Sequence, residues 1–204
     1  CTKLFTQYKM SLKVAQWISS YLFKRMQYVC IDNVPSDSAE NNHGVPQGSL
    51  LGPLLFLLFI NDIATWINDI DTIISLYVDD SLMITSADND ASLIQKTNEN
   101  LDKVHNYCKH NYLFLNEQKT KAMIFNSTES YENKLFLPNS SNAIEIVNHF
   151  VYLGFAIDVD LKFTHHITKL AGKLKSCNYS IARARSFLPT ESLTLMYNAI
   201  GLSH

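Results

Sequence analysis

The stretch IISLYVDDSLMIT, residues 73–85, contains two apolar runs that are separated only by Asp79 and Asp80. The runs Ile73–Val78 and Ser81–Thr85 are rich in residues that favour strands. Two residues between such runs predict a tight β-hairpin with Asp79-Asp80 as its turn. Until the turn breaks the period, alternation places Tyr77 on the face of Asp79, and Val78 on the face of Asp80.

The paired aspartates are the first candidate for chemistry. Two carboxylates about 4 Å apart repel by roughly 4 kcal/mol at an effective dielectric of 20. The pair is therefore costly unless it is exposed, partly protonated or bridged by a cation such as Mg²⁺, which prefers oxygen ligands. Asp is also a favoured turn residue, so an Asp-Asp turn taken alone favours a purely structural role.

A second short segment, Gly44-Val45-Pro46-Gln47-Gly48, lies just before a strongly apolar stretch. The glycines let the backbone approach a ligand closely, and Gln47 offers both a donor and an acceptor. Ser49 can cap the helix that comes next, and Pro53 is tolerated in its first turn. Because Leu54–Ile60 is apolar on all sides, we expect this helix to be buried.

The rest of the chain alternates helical and extended patterns. Asp88 or Asp90 can cap the helix of residues 93–108, and Asn111 can end it. The predicted elements are helices at 11–23, 49–60, 93–108, 166–177 and from Pro189, a strand at 27–31, a polar loop at 32–43, extended chain at 113–125, and a second hairpin of 144–147 and 150–157 around Asn148-His149. This order predicts an α+β domain followed by a small helical piece.

Composition narrows the class of protein. The 204 residues have a net charge of −2 and are 47% hydrophobic, which excludes a strongly basic nucleic-acid coat and argues against disorder. An acidic middle, residues 61–130, lies between basic ends, so it is either a solvated face or a cation site. The run Leu54–Ile60 is too short to span a bilayer, which needs roughly 20 residues, so we expect no membrane insertion.

Taken together, GVPQGSLLGPLLFLLFINDI (44–63) and LYVDD (76–80) closely resemble the reverse transcriptases of non-LTR retrotransposons, the LINE or jockey-like group. The resemblance extends through residues 17–29, 113–125, 150–167 and 185–200. It implies an RNA-directed DNA polymerase, nuclear or cytoplasmic, that uses an RNA template, a DNA primer, deoxynucleoside triphosphates and two Mg²⁺ ions.

The resemblance also implies roles for individual residues. Asp79 would be the principal Mg²⁺ ligand and Asp80 its partner, while Tyr77 and Val78 would face the primer end and the incoming nucleotide. This group more often has Ala where Val78 stands. The remaining implied sites are a template- and nucleotide-positioning turn at Gln47 and Gly48, a lysine near the departing pyrophosphate at Lys119, and a primer-grip hairpin at Leu153 and Gly154.

The implied architecture is a partial right-hand polymerase palm, an antiparallel sheet with helices, followed by the start of a helical thumb. The expected divisions are a partial palm (1–125), a variable linker (126–143), a primer-grip-like hairpin (144–164) and the start of the thumb (165–204). Basic side chains such as Lys24, Arg25, Lys169 and Lys173 are candidate contacts to nucleic-acid phosphates.

One family feature has no counterpart in the sequence. The resemblance implies a further aspartate before the Gly44–Gly48 turn, and nothing in residues 1–43 matches it. We therefore expect a polymerase fragment that is inactive alone. The alternatives are a non-catalytic nucleic-acid-binding remnant, a nucleotide cyclase, for which a Gly-Gly-acidic turn would be expected instead of YVDD, and a structural helical module, which leaves Asp79-Asp80 unexplained. His165-His166 and Cys108-x-His110 lack zinc spacing, so surface histidines are the better interpretation.

Overall fold

A computed structural model describes residues 2–41, 43–126, 135–138, 140 and 142–202. These residues form two compact units, Cys1–Asp88 and Asn89–His204, and each is described by itself. Mixed helices and small sheets confirm the α+β class. Every sheet within the described residues has two strands. None of the helices there has the length and apolarity needed to cross a bilayer.

The helices and strands of the described residues have the following bounds. The helices are α1 (Thr2–Thr6), α2 (Leu12–Leu22), α3 (Leu51–Ile60), α4 (Ile63–Ile67), α5 (Asp90–His110), α6 (Thr164–Ala184), α7 (Thr190–Met196) and a π-helical segment (Tyr197–Gly201). The strands are β1 (Arg25–Gln27), β2 (Cys30–Ile31), β3 (Val34–Pro35), β4 (Ala39–Asn41), β5 (Thr72–Tyr77), β6 (Asp80–Thr85), β7 (Lys121–Ala122), β8 (Glu145–Ile146), β9 (His149–Tyr152) and β10 (Phe155–Asp158).

The core of the first unit lies where α1, α2 and α3 meet. Leu4, Ile18 and Leu55 are buried against one another. Lys3 Nζ ties α1 to the end of α3 by donating to the Phe59 carbonyl (3.0 Å) and to Asp62 (2.8 Å). The predicted helix 11–23 is confirmed as α2. Its apolar residues at spacings of three and four supply the buried face.

The loop expected at residues 32–43 is wrong in part, because it contains two strands. β2 pairs with β3, and β1 pairs with β4, so the segment folds back as a two-step hairpin. Its turn is Asp32-Asn33, with φ values of 50° and 63°. Asp and Asn tolerate this left-handed conformation, and two such residues make the type I′ turn that suits a two-residue hairpin. The sequence therefore contained a turn signal inside the predicted loop.

The expectation that α3 is buried is wrong for one of its faces. Gly52, Leu55 and Ile60 are buried, whereas Leu54 is 53% exposed. Helix α3 packs on α1 and α2 through one stripe, and no other described element of the first unit buries the opposite side. The short helix α4, which comes directly after α3, was not predicted.

The core of the second unit forms around α5. Leu135, Leu137 and Ile144 are buried against Ile94 and Leu101 of that helix. The helix is confirmed, but Asn89 caps it, rather than Asp88 or Asp90, by accepting from the Ser92 N–H (2.9 Å). The predicted variable linker, 126–143, falls partly on residues 127–134, 139 and 141, which lie outside the described residues.

Two extended segments of this unit pair differently from the prediction. Of residues 113–125, only Lys121–Ala122 is a strand, and it runs parallel to Glu145–Ile146. An ion pair between Lys121 and Glu145 links the two. Because β8 pairs with β7, the predicted hairpin around Asn148-His149 is wrong. The hairpin is β9–β10 instead, and its turn is Leu153-Gly154.

Two histidines in the first turn of α6 attach that helix to the β9–β10 hairpin. His165 Nδ1 donates to Asp158 Oδ1 (2.7 Å), and its ring stacks on His149 with centroids 4.2 Å apart. Ala156 N–H donates to His166 Nδ1 (3.4 Å). We call His149, Asp158 and His165 the histidine clasp. Beyond α6, Pro189 begins α7 as predicted.

Asp158 is the charged centre of the histidine clasp and is only 5% exposed. Burial by itself raises the pKa of its carboxyl, but hydrogen bonds from the His165 side chain and from the backbone of His165 and Thr164 outweigh burial, so the pKa lies below its ordinary value. A lowered carboxyl pKa stabilises the fold above the unfolded-state pKa of about 4. That contribution is lost as the pH falls through the folded-state pKa.

We therefore expect Asp158→Asn to lower the melting temperature at neutral pH, and the difference from the unchanged chain to shrink as the pH falls below about 4. Thermal unfolding followed by far-UV circular dichroism measures both. Asp160→Asn is the control for an exposed carboxylate. Its ion pair with Lys162 (3.0 Å) also lowers the pKa of its carboxyl, but solvent screens this exposed pair, so we expect a much smaller difference. A difference that is the same at all pH values would contradict the assignment.

Candidate active site

The β5–β6 hairpin is confirmed, but its turn lies one residue earlier than predicted. Tyr77 pairs with Asp80 across the strands, which leaves Val78-Asp79 as the two-residue turn. Directly paired residues project on the same face of a sheet. Tyr77 therefore shares a face with Asp80, not with Asp79. The prediction failed because strand alternation was extended into residues that belong to the turn.

Val78 adopts an unusual backbone conformation in this turn. Its φ is 56°, whereas Asp79 is not among the residues with positive φ. This is the pattern of a type II′ turn, in which glycine normally occupies the first position. A β-branched residue there stores strain on the order of 1 to 3 kcal/mol. Strain of this kind is concentrated at functional sites, so it marks the hairpin tip as a candidate site.

The two carboxylates at the tip are exposed. Neither the Asp79 nor the Asp80 side chain forms a hydrogen bond or ion pair with another described residue, and Tyr77 beside them is 61% exposed. No described residue pairs with either carboxylate, so solvent or a cation is left to neutralise their charge. Their oxygens are the ligand type that Mg²⁺ prefers. They fit such an ion as two ligands of an incomplete set, because the described residues contain no group of three potential metal ligands.

The Gly44–Gly48 turn is held firmly at its base. Val45 packs against the core of the first unit. Ser49 Oγ donates to the Pro46 carbonyl (2.8 Å) and accepts from the Gly52 N–H (3.0 Å), so Ser49 satisfies an amide in the first turn of α3, although Leu50 and not Ser49 is the N-cap residue. Gly48 has φ +75°, a conformation that favours glycine. Gln47, at the apex, is exposed.

Gly52 allows the turn to pack on α3. A Cβ atom on Gly52 would lie 2.9 Å from Ser49 Oγ and 3.2 Å from the Pro46 carbonyl oxygen. A larger residue would therefore displace the hydroxyl that caps the helix. Sequence reasoning missed this role, although a glycine in the first turn of an otherwise apolar helix was a signal for close approach.

Arg25 was expected to contact phosphate, and the structure gives it other partners. Its Nη2 donates to the carbonyls of His43 and Gly44, each at 2.8 Å, and its Nε donates to the Leu22 carbonyl at 3.3 Å. The side chain therefore connects α2 to the first residues of the turn. No pattern in the sequence could have identified these partners, because carbonyl groups are present at every residue.

The remaining predicted residues lie in the second unit. Lys119 was expected in extended chain, but it lies in a tight turn in which Thr120 N–H donates to the Asn116 carbonyl (3.0 Å). Its side chain is exposed. Leu153 and Gly154 form the β9–β10 turn with φ values of 48° and 89°, the type I′ pattern.

The site residues thus fall into separate groups. Within the first unit, Tyr77–Asp80 share one hairpin tip, and Gln47 and Gly48 share the anchored turn.

Comparison with known proteins supplies the family. The family model for reverse transcriptase (RNA-dependent DNA polymerase) matches residues 2–157. The chain belongs to the reverse transcriptase family.

Curated relatives refine this assignment. The chain is 28% identical over 162 residues, 75% of its length, to the RNA-directed DNA polymerase from mobile element jockey of Drosophila melanogaster. It is 25% identical over 200 residues, 94% of its length, to the protein of the same description from Drosophila funebris. These stretches cover 17% and 22% of the two relatives, so the chain spans about a fifth of their length. No solved structure matches it.

These comparisons confirm the resemblance to the non-LTR, jockey-like group. The reverse transcriptase chain has its candidate acidic pair inside the matched region, at a strained hairpin tip. The matched region also includes the anchored turn and ends at Ile157, one residue before Asp158.

The conformation of Gly48 generates a stability prediction. We expect Gly48→Ala to destabilise the first unit by about 1 kcal/mol, because alanine is strained at positive φ. Both tryptophans, Trp17 and Trp66, lie in that unit, so urea unfolding followed by tryptophan fluorescence measures it selectively.

Gly172→Ala is the matched control. Gly172 is in the interior of α6, and a Cβ atom there meets nothing within 4 Å. We therefore expect Gly172→Ala to stabilise the chain against unfolding by about 0.5 to 1 kcal/mol. Urea unfolding monitored by far-UV circular dichroism measures this change. Equal effects of the same sign at both positions would rule out backbone strain as the cause at Gly48.

Proposed function

We propose that the chain carries the catalytic hairpin of a reverse transcriptase palm, which extends a DNA primer on an RNA template. The observation that carries the proposal is the strained hairpin tip, where two exposed carboxylates have no hydrogen-bond or ion-pair partner among the described residues, in a chain of this family. In this proposal residues 1–125 are part of the palm, 126–143 a variable linker, 144–164 the primer-grip-like hairpin, and 165–204 the start of the thumb.

Asp79 is the principal ligand for Mg²⁺ in this proposal, and Asp80 is its partner. Two Mg²⁺ ions, when bound, supply activation of the primer hydroxyl and neutralisation of phosphate charge. Tyr77 shares the sheet face of Asp80 and offers a ring beside it for the primer end or the incoming nucleotide. Val78 occupies the turn itself and limits the space there.

The reaction joins the primer 3′-hydroxyl to the α-phosphate of a deoxynucleoside triphosphate. The hydroxyl proton passes to solvent, the bond between the α- and β-phosphates breaks, and pyrophosphate leaves. We assign proton donation to pyrophosphate to the Lys119 ammonium group. Gln47 and Gly48 are assigned to the template and the nucleotide, since the exposed amide and the anchored backbone suit hydrogen bonds to a flat base. Leu153 and Gly154 are assigned to the primer strand.

The positive charge of helix α6 favours a nucleic acid as the partner of this chain. Between Asp160 and Glu191 the sequence has six basic and no acidic residues. Spacings of four, three, four and three residues place Lys169, Lys173, Ser176, Ser180 and Arg183 on one exposed stripe. The buried stripe of the same helix, which includes Cys177 and Ala184, lies beside it. A row of basic and hydroxyl groups suits a phosphate backbone.

Metal binding tests the role of the acidic pair. We expect Mn²⁺, used in place of Mg²⁺, to broaden the backbone amide NMR signals of residues 77–82, and Asp79→Ala to abolish the broadening because one of two ligands is lost. The control is Asp88→Ala, an exposed acidic residue of the same unit, which should change nothing. Broadening that survives Asp79→Ala would contradict the assignment.

The same variants separate an enzyme from a binding remnant. Since no residue of 1–43 matches the family's further aspartate, we expect the 204 residues alone to give no primer extension. Extension that depends on Asp79 would contradict this expectation. Two results together would favour the non-catalytic alternative: Asp79→Ala binds template–primer as tightly as the original chain does, and the original chain binds no metal.

Salt dependence tests the stripe on α6. We expect Lys169→Gln with Lys173→Gln to weaken template–primer binding and to flatten the plot of log affinity against log salt concentration by about one unit per lysine. Fluorescence anisotropy with a labelled template–primer measures both. Lys175→Gln is the control, since Lys175 lies off the stripe on the same helix. An equal effect of the control would mean that net charge alone determines binding.

A further inference from the structure

Arg25 is a basic residue whose contacts differ from those of a phosphate-binding side chain. It begins β1 and is paired with Asn41 of β4. Three hydrogen bonds engage its guanidinium group, and all three acceptors are backbone carbonyls: Leu22 at the end of α2, and His43 and Gly44 at the start of the turn. A guanidinium group has a planar, fixed set of donors, so these bonds define the relative position of two backbone segments, the end of α2 and the start of the turn.

Two of these carbonyls belong to residues that lead directly into the Gly44–Gly48 turn. Gly44 has φ +65° and begins the segment that ends at Gly48. From the other side, Ser49 Oγ holds the Pro46 carbonyl and the first turn of α3. The turn is therefore anchored at both ends by side chains, and Gln47 lies exposed between the two anchors.

An open cleft borders the turn on the side of the strands. Its volume is about 650 Å³, and Arg25, Gln27, Asn41, His43 and Gln47 are among the residues that line it. The side chains of Gln27 and Asn41 are hydrogen bonded to each other at 3.0 Å. Arg25 joins the two walls of this cleft, because it belongs to β1 and binds the carbonyls of the turn.

We propose that Arg25 is a positioning residue that sets where Gln47 and Gly48 are presented. The inference rests on the proposed function in one respect, since the turn is taken to position template and nucleotide. Arg25 acts through the backbone of His43 and Gly44, whose carbonyls its guanidinium group binds. Its neighbour Lys24 is exposed and lies near the Phe23 ring at 5.4 Å, so it provides a basic residue without this role.

The test uses the free 204-residue chain labelled with ¹⁵N. Arg25→Lys keeps the positive charge but loses the planar set of guanidinium donors. We therefore expect the amide signals of Gly44 and Gly48 to shift or broaden, while the Trp66 indole signal stays in place. Lys24→Gln should leave all three unchanged. Glycine signals that are the same in Arg25→Lys as in the unchanged chain would overturn the proposal.

A second measurement needs no substitution and so remains valid if Arg25→Lys unfolds the first unit. Three hydrogen bonds restrict rotation of the Arg25 guanidinium group, and we expect separate, slowly exchanging signals for its two Nη groups at low temperature. Averaged signals would overturn the proposal. Both readouts are made without nucleic acid, so failure of template–primer binding would count against the proposed function and not against the positioning role.

Discussion

The pairing of Tyr77 with Asp80 is the constraint on which the candidate active site depends. Asp80 is therefore part of strand β6, whereas Asp79 lies in the turn. The two adjacent carboxylates consequently project from backbone of different conformation. A turn one residue later would reverse which carboxylate shares the face of the tyrosine. It would also relieve Val78 of its positive φ. The chain keeps a strained residue and two exposed acids with no partner among the described residues at one tip, a combination that folding by itself does not favour.

The Gly44–Gly48 turn illustrates a different way of fixing a functional segment. Its glycines remove the steric barrier to close approach, and freedom of this kind costs conformational entropy unless the ends are tied. Here the ties are side chains from outside the turn: Arg25 before it and Ser49 after it. Gly52 permits the second tie by leaving room for the Ser49 hydroxyl. The apex residue Gln47 can then remain exposed without making the whole segment mobile.

Patterns of local origin were predictable, and partners distant in sequence were not. The helices α2, α5, α6 and α7 follow from apolar spacing, and the β5–β6 hairpin follows from its two apolar runs. Several of the failures share one cause, which is the choice of hydrogen-bond partner. Residues 145–146 were assigned to the strand nearest in sequence, whereas they pair with Lys121–Ala122. The helix cap moved from an aspartate to Asn89, one residue away, because several equivalent acceptors stood side by side.

The sequence alone determined the family and the kinds of residue at the site, because the segments 44–63 and 76–80 consist of chemical types in a specific order. It also determined that the region of α6 is rich in positive charge, since Lys169 and Lys173 are read directly from the sequence. Only the tertiary structure decided the register at Tyr77 and Asp80, the carbonyl partners of Arg25 and the histidine clasp around Asp158. Each of these is a choice among many backbone and side-chain groups of similar chemistry. Packing and geometry determine which of these groups becomes the partner, and this cannot be predicted from composition or residue spacing.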